Sequence, residues 1–354
     1  MIEFYNEQSL GFVEKRRGDY SIKIEDYISD DETKIKWVQN LIRDAEKGVC
    51  HSVDMASFRV GSYRPFSCQN IYFNKYLNWS RYRLPSIFPY PGKGNLIICA
   101  SGVGAQKEFS VLMTSYIPDL QLVDKAQCFP LYYYEPAKGG AEGLFEQKTE
   151  DGQYVRRDGV SDYIWNEAKR QYAQPLTKED IFYYVYGYLH SPDYRTKFAY
   201  DLKKMLPRLP LVESFEDFWA FSQAGRQLAD LHVNYESVPP HPGLTVTGAE
   251  SGHYRVEKMR FPARKDTIHY NSAITVSNIP AEAYEYVVNG KSAIEWVMDR
   301  YAITTHKESQ ITNDPNDWAD EVGNPRYILD LLLSVIHLSV QTVAIVKGLP
   351  SAGV

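Results

Sequence analysis

The sequence changes texture once, and that change constrains the fold more than any motif does. From about Ser52 to Glu135 it runs as short apolar or alternating segments between turn residues. From Thr177 onward it becomes a series of capped, helically periodic segments. Strands gathered in one stretch and helices in another predict an α+β fold rather than an alternating parallel α/β one. Period-two patterning places strands at Phe58–Tyr63, Asn70–Phe73, Asn95–Ala100, Ser110–Tyr116 and Gln127–Tyr134. Gly92-Lys93-Gly94 and Ser101-Gly102-Val103-Gly104 are turns between them, and 136–160 reads as a glycine-rich loop. Upstream, Ile35, Val38, Leu41 and Ile42 give Glu32–Lys47 a helical face.

The helical half is punctuated by its caps. Thr177-Lys178-Glu179-Asp180 has capping-box form ahead of Ile181, Tyr184, Val185 and Tyr188. Ser191-Pro192-Asp193 starts a helix carrying Phe198, Leu202 and Met205 that ends before Pro207, and Ser214 caps another reaching about Leu231. After the Pro239-Pro240-His241-Pro242-Gly243 break, strand-like runs return at His253–Phe261 and Ala273–Ile279. Asn289-Gly290 closes a short helix, Ser292-x-x-Glu295 caps the next, and Asn324-Pro325 opens the last. No internal repeat is visible. The expected division is a helical lead-in from a longer chain (1–50), a β-rich, mixed-sheet subdomain (51–175), a helical bundle-like segment (176–238) and an α+β subdomain ending in a long helix (239–354).

A length of 354 residues corresponds to roughly two domains. Apolar residues at 44% and charged residues at 24% exclude a disordered tail, a collagen or a coiled coil. Cys50, Cys68, Cys99 and Cys128 form no C-x-x-C pair and no zinc spacing, and the polar, acidic N-terminus lacks a signal peptide, which together predict a cytoplasmic protein with free thiols. The apolar run Tyr327–Val346 carries Asp330, Ser334, His337, Ser339, Gln341 and Thr342, too many polar groups for a membrane span. It reads as a helix with one face buried in protein.

Catalytic signatures are sparse in the sequence. There is no G-x-x-x-x-G-K-[ST] loop and no G-x-S-x-G elbow. Gly102-Val103-Gly104 follows an apolar strand, but Lys107 stands where a dinucleotide turn needs its third glycine. Val238-Pro239-Pro240-His241 lacks the polar and aromatic residues that would hold a flipped base. Pro118-Asp119 followed by Glu146-Gln147-Lys148 has the letters of a metal-dependent nuclease, in which Asp119 and Glu146 would hold Mg²⁺ and Lys148 would assist water. Glu146 falls in the strand-poor glycine-rich stretch, where the alternative is a pair of solvated loop charges.

Charge distribution is more informative. The formal charge is 39 − 45 = −6, yet no acidic residue occurs between Asp54 and Glu108. That window holds Arg59, Arg64, Lys75, Arg81, Arg83, Lys93 and Lys107, interleaved with Phe58, Tyr63, Phe66, Tyr72, Phe73, Tyr76, Trp79, Tyr82, Phe88 and Tyr90. Arg195, Lys197, Lys203, Lys204 and Arg208 form a second basic cluster, and Arg255, Lys258, Arg260, Arg264 and Lys265 a third. Cations with aromatics suit a nucleic acid, because Lys and Arg neutralise phosphates while Tyr, Asn and Gln reach backbone or base edges. The candidate contacts are Arg59, Arg64, Lys75, Arg81, Arg83 and Lys93, with Gln106 and Lys107 in the next turn and Lys258, Arg260, Arg264 and Lys265 second. For each the alternative is ordinary surface charge. The 28 tyrosines against 15 phenylalanines leave a sugar-stacking carbohydrate-binding module as another reading, which the lack of an export signal disfavours.

Several blocks carry a family likeness: Phe58-Arg59-Val60-Gly61-Ser62-Tyr63-Arg64-Pro65-Phe66, Asn70-Ile71-Tyr72-Phe73, Leu84-Pro85-Ser86-Ile87-Phe88-Pro89 and Gln127-Cys128-Phe129-Pro130-Leu131-Tyr132. It continues in Leu189-His190-Ser191-Pro192-Asp193-Tyr194-Arg195, Leu206-Pro207-Arg208-Leu209-Pro210, Tyr286-Val287-Val288-Asn289-Gly290-Lys291-Ser292-Ala293 and Asn313-Asp314-Pro315-Asn316-Asp317-Trp318. Over nearly its whole length the chain resembles the C-terminal specificity domain of type ISP restriction-modification enzymes. Those large single-chain bacterial proteins join a nuclease, a helicase-like ATPase, an adenine methyltransferase and a target-recognition domain. The resemblance implies a non-catalytic, duplex-DNA-reading end of a longer polypeptide, entering mainly from the major groove. It implies partners in the parent's methyltransferase and helicase-like domains, and parent cofactors (S-adenosylmethionine, ATP, Mg²⁺) bound elsewhere. It transfers no base-reading residue.

Overall fold

The computed structural model describes residues 1–78, 80–137 and 153–354. Helices α1 (Ile2–Gly18) and α2 (Gln39–Glu46) close on a small core of Tyr5, Phe12, Ile24, Ile35, Leu41 and Ala45. The sequence shows no periodic apolar stripe for α1 because Ser9 occupies its buried face, where the hydroxyl bonds the Ala45 carbonyl at 3.3 Å. The helix expected over Glu32–Lys47 is confined to α2, since 32–34 form a turn.

Next comes the hairpin of β1 (Phe58–Arg64) and β2 (Ser67–Tyr72), with a bulge between Ser62 and Arg64. Phe66 makes the turn at φ 56 and is itself buried edge-on against Tyr235 and Tyr286. A short helix α3 (Leu84–Ile87) leads into β3 (Ile97–Ala100), β4 (Val111–Thr114), β5 (Ile117–Pro118) and β6 (Gln127–Pro130). β5 joins the hairpin in parallel beside β1, while β3 is the centre of the antiparallel sheet β4-β3-β6.

All four residues of β3 are buried, and alternation along the strand sends them to different places. Ile97 and Cys99 enter one core with Phe66, Leu112, Val276, Val297 and Leu332, whereas Ile98 and Ala100 enter another with Met113, Tyr184, Phe218 and Phe221. β3 is therefore the wall between two cores. The strand expected over Gln127–Tyr134 is two, β6 and β7 (Tyr132–Pro136), because Leu131 turns aside to donate its N–H to the Leu96 carbonyl at 2.8 Å. β7 pairs with β8 (Tyr154–Asp158), so the expected loop over 136–160 contains a strand at its end, and 138–152 lie outside the described residues.

The helices of the second core are α4 (Asp162–Tyr172), α5 (Lys178–Tyr188), α6 (Pro192–Lys197) and α7 (Phe215–Val233). Thr177, Ser191 and Ser214 cap α5, α6 and α7 as their sequences predict; α4, capped by Ser161, follows too closely on β8 to stand out. α6 stops at Lys197, earlier than expected, and the chain continues through a 3-10 turn at Asp201–Lys203. α5 and α7 touch through their backbones: a Cβ on Gly187 would lie 2.1 Å from the Phe221 carbonyl oxygen, and one on Gly225 1.9 Å from that of Tyr183.

The remaining chain returns to the first core. β9 (Thr245–Thr247), β10 (Ile268–His269) and β11 (Thr275–Ser277) form a small sheet in the order β10-β11-β9. The strand expected over His253–Phe261 is absent apart from an Arg260–His269 bridge; instead the Asn316 and Asn271 side chains bond the Val256 and Arg255 carbonyls, where a neighbouring strand would. Asn289-Gly290 does not close a helix. It is the turn of a hairpin between β12 (Val287–Val288) and β13 (Lys291–Ser292), with φ of 53 and 77 at the two positions, as a two-residue primed turn requires. Ser292 and Glu295 form the expected capping box of α8 (Ala293–Arg300). After the hairpin of β14 (Thr304–Thr305) and β15 (Thr312–Asn313) and the short α9 (Asn316–Glu321), α10 (Tyr327–Lys347) runs through the protein. α10 has the length and apolarity of a membrane span, but 67% of its most apolar window is buried inside the protein, in keeping with the core helix expected there.

Candidate nucleic-acid interface

The basic residues of the acid-free window fall into two kinds. Arg64, at the end of β1, is tied down: its guanidinium bonds Asp119 at 2.7 Å and the Tyr63 carbonyl at 2.6 Å while stacking 4.0 Å over the Tyr63 ring. Asp119 also accepts the Gln121 N–H at 2.7 Å, so the carboxylate that a metal-dependent nuclease would use serves to lock β1 to the chain after β5. Glu146 and Lys148, its supposed partners, lie outside the described residues. Arg59 sits half-buried in β1 with Nε and Nη1 lacking a hydrogen-bond partner among the described residues; burial lowers its pKa, against an opposing pull from Asp54.

Beyond β2 the cations lie on aromatic faces instead. Lys75 sits 4.7 Å over Tyr76, Arg81 5.1 Å over Phe73 and Lys93 5.0 Å over Tyr134. Asn78 knits the base of this loop by donating to the Tyr72 and Asn74 carbonyls at 2.6 and 2.8 Å. At its tip the Leu84 N–H bonds the Arg81 carbonyl, closing a turn around Tyr82 just before α3. Tyr82 has φ 44 and is 84% exposed, an uncommon backbone state for a bulky residue and an unusual exposure for an aromatic. Among the described residues no carboxylate lies within 4 Å of Lys75, Arg81 or Arg83. Arg81-Tyr82-Arg83 is thus a projecting aromatic between two cations without counter-charge, and Tyr82 is the residue that reasoning from charge alone passes over. Its signal in the sequence is its position between two arginines.

Gln106 and Lys107 occupy a loop folded around Asp124, whose carboxylate accepts both backbone N–H groups at 2.5 and 3.1 Å. Their side chains are exposed, with Lys107 beside Gly290 of the β12–β13 turn. In the third cluster Lys258, Arg260 and Arg264 are exposed, whereas Lys265 pairs with Glu295 at 2.8 Å and Arg255 with Asp314. The second cluster is split, because Lys197, Lys203 and Lys204 are exposed but Arg195 turns inward. Among the described residues no group of three or more His, Cys, Asp and Glu side chains is placed to hold a metal ion.

The fold and this cationic surface define a recognition module, and comparison places it. The chain belongs to the type ISP C-terminal specificity domain family, whose model matches residues 1–331. It is similar to a nuclease-deletion mutant of the type ISP restriction-modification enzyme LlaGI in complex with a DNA substrate mimic, at TM-score 0.82 and 36% identity, covering 99% of this chain and 30% of that one. It is similar also to the ATP-dependent type ISP enzyme LlaBIII bound to DNA (0.82, 34%, 99% of this chain and 22% of that one) and to DrdV in a DNA complex (0.79, 32%, 99% and 33%). The chain thus spans a third or less of these relatives. No curated protein matches it.

Proposed function

We propose that this chain is the sequence-reading part of a longer cytoplasmic restriction-modification polypeptide, non-catalytic itself, that binds a short duplex site and positions it for the parent's adenine methyltransferase and its nuclease and translocase parts. S-adenosylmethionine, ATP and Mg²⁺ would act in those other parts. The observation that carries the reading is the Arg81-Tyr82-Arg83 tip, an exposed aromatic flanked in sequence by two cations, which with Lys75 earlier in the same loop have no carboxylate partner among the described residues. The DNA-bound state of the similar enzymes supports it. In this reading Lys75, Arg81 and Arg83 are phosphate or base-edge contacts, Gln106, Lys107, Lys258, Arg260 and Arg264 extend the surface, and Arg64 and Lys265 brace it through their carboxylates.

The test is duplex affinity in the intact polypeptide as a function of salt. Reversing Arg81 and Arg83 together to Glu should weaken binding at least about tenfold and flatten the slope of log K against log salt by about one for each phosphate no longer neutralised. Unchanged affinity and slope would remove this tip from the DNA-binding surface. A salt-independent affinity in the unaltered protein would favour sugar stacking instead.

A further inference from the structure

Strands β3 and β6 are antiparallel neighbours, and their register sets Cys99 directly opposite Cys128. Side chains of opposed residues project from the same face of a sheet. Here the two sulfurs lie 3.7 Å apart, in hydrogen-bond contact. Directly opposed antiparallel residues have Cα atoms about 4.5–5.5 Å apart, inside the range of about 4.4–6.8 Å that a disulfide spans. The backbone therefore already suits a sulfur–sulfur bond, and what remains is to turn the side chains. No other pair of thiols is in hydrogen-bond contact among the described residues. The Cys68 thiol meets the Tyr235 hydroxyl at 3.3 Å and is pushed up to about 11 by burial, while Cys50 lies exposed beside the Gly48 carbonyl.

The two thiols are not equivalent. Cys99 is fully buried in the central strand, with β4 on its other side. Cys128 is half-buried on the outer strand β6, between exposed Gln127 and Phe129. The hydrogen bond between them holds the Cys99 thiol well above its usual value, with burial adding to the effect. The same bond lowers that of Cys128, against the opposing effect of burial. Cys99 is thus the donor, and Cys128 is the sulfur that ionises first. Cys128 is also the more accessible of the two, and thiolate character with access decides which cysteine is oxidised.

We propose that Cys99 and Cys128 form a reversible thiol–disulfide switch that responds to hydrogen peroxide, with Cys128 as the reacting thiol and Cys99 as the resolving one. The Cys128 thiolate attacks one peroxide oxygen, so that the S–O bond forms as the O–O bond breaks and Cys128 is oxidised to a sulfenic acid. The displaced hydroxide takes up the proton that Cys128 released and becomes water. The Cys99 sulfur then attacks that of Cys128 and gives up its proton, and the sulfenic oxygen leaves as a second water. Two thiols and one peroxide thereby give one disulfide and two waters, and a dithiol reverses the bond by exchange. The bond staples the outer strand to the wall between the two cores. It also closes the chain between residues twenty-nine apart, a stretch that carries β4, β5 and the Gln106–Lys107 loop. The inference does not rest on the DNA-recognition reading, and its test contains no DNA.

The reduced, folded chain would be treated with a small excess of hydrogen peroxide, its remaining thiols alkylated, and the product digested with trypsin. The expected result is a link between the peptides Gly94–Lys107 and Ala126–Lys138, which dithiothreitol splits. Trapping with dimedone separates the roles: Cys99→Ser should leave a sulfenic acid adduct on Cys128, whereas Cys128→Ser should leave Cys99 a thiol. Because Cys99→Ser removes a buried thiol, the peptide map of the unaltered chain stands independently of either variant. Thermal unfolding reads the staple itself, and the oxidised chain should melt about 2–6 °C above the reduced one and return on reduction. No link between Cys99 and Cys128 in the folded chain, a link that forms only in urea, or an oxidised chain that melts no higher than the reduced one would overturn the switch. An adduct on Cys99 rather than Cys128 would overturn the assignment of roles.

Discussion

At the scale of single residues, His232 shows what burial does to a titratable group. Its Nδ1 meets the Tyr186 hydroxyl at 2.6 Å and its Nε2 meets Thr342 Oγ1 at 3.0 Å. Burial, with Arg195 second, pushes its pKa down to about 3, and burial drives His190 well below the usual value as well. Above pH 6.5 both rings are neutral whether the chain is folded or not. Below it the unfolded chain takes up protons that the folded one refuses, so stability falls with pH by about 1.4 kcal/mol per unit for each ring, from about 6.5 towards the folded value. Urea unfolding between pH 7 and pH 5 should show this decline, and His232→Asn should make it shallower. A slope unaltered by the substitution would mean that His232 is not held neutral. Which cations are free was less legible than where they lie in the sequence. Arg64 and Arg83 look alike there, and only the fold brings Asp119 to Arg64 from fifty-five residues away.

At the scale of elements, local chemistry carried most of what was legible. The caps at Thr177, Ser191, Ser214 and Ser292 mark helix starts because each hydroxyl meets an N–H of its own first turn. What misled was context from elsewhere in the chain. Asn289-Gly290 suits a helix end and a hairpin turn equally, and the strand pairing of β12 with β13 decides between them. The α5–α7 packing is invisible to periodicity because it is made by missing side chains. Gly225→Ala would set a methyl group against the Tyr183 carbonyl and force the helices apart, so it should cost roughly 1–3 kcal/mol or more. Equilibrium denaturation measures this directly, and a loss below about 0.5 kcal/mol, as at an ordinary exposed helix position, would show that the helices do not pack through this glycine.

At the scale of the whole molecule, a net charge of −6 gives no hint of a cationic surface, since it averages an acid-free window with acidic surroundings. The α+β class was readable from the change of texture. The route by which the C-terminal third returns to pack on the first sheets was not, because it depends on pairs such as Cys68 with Tyr235, 167 residues apart. β3 has a consequence for unfolding. With Ile97 feeding one core and Ile98 the other, neither can melt while this strand keeps its hydrogen bonds. The chain should therefore give one calorimetric transition spanning both cores, and Ile97→Ala and Ile98→Ala should each move that single transition downward, by about 2–5 kcal/mol in stability. Two resolved transitions, only one of them sensitive to each substitution, would contradict this. A strand shared in this way acts as a thermodynamic splice: stabilisation gained on its helical side is carried into the stability of the side that bears the Arg81-Tyr82-Arg83 tip.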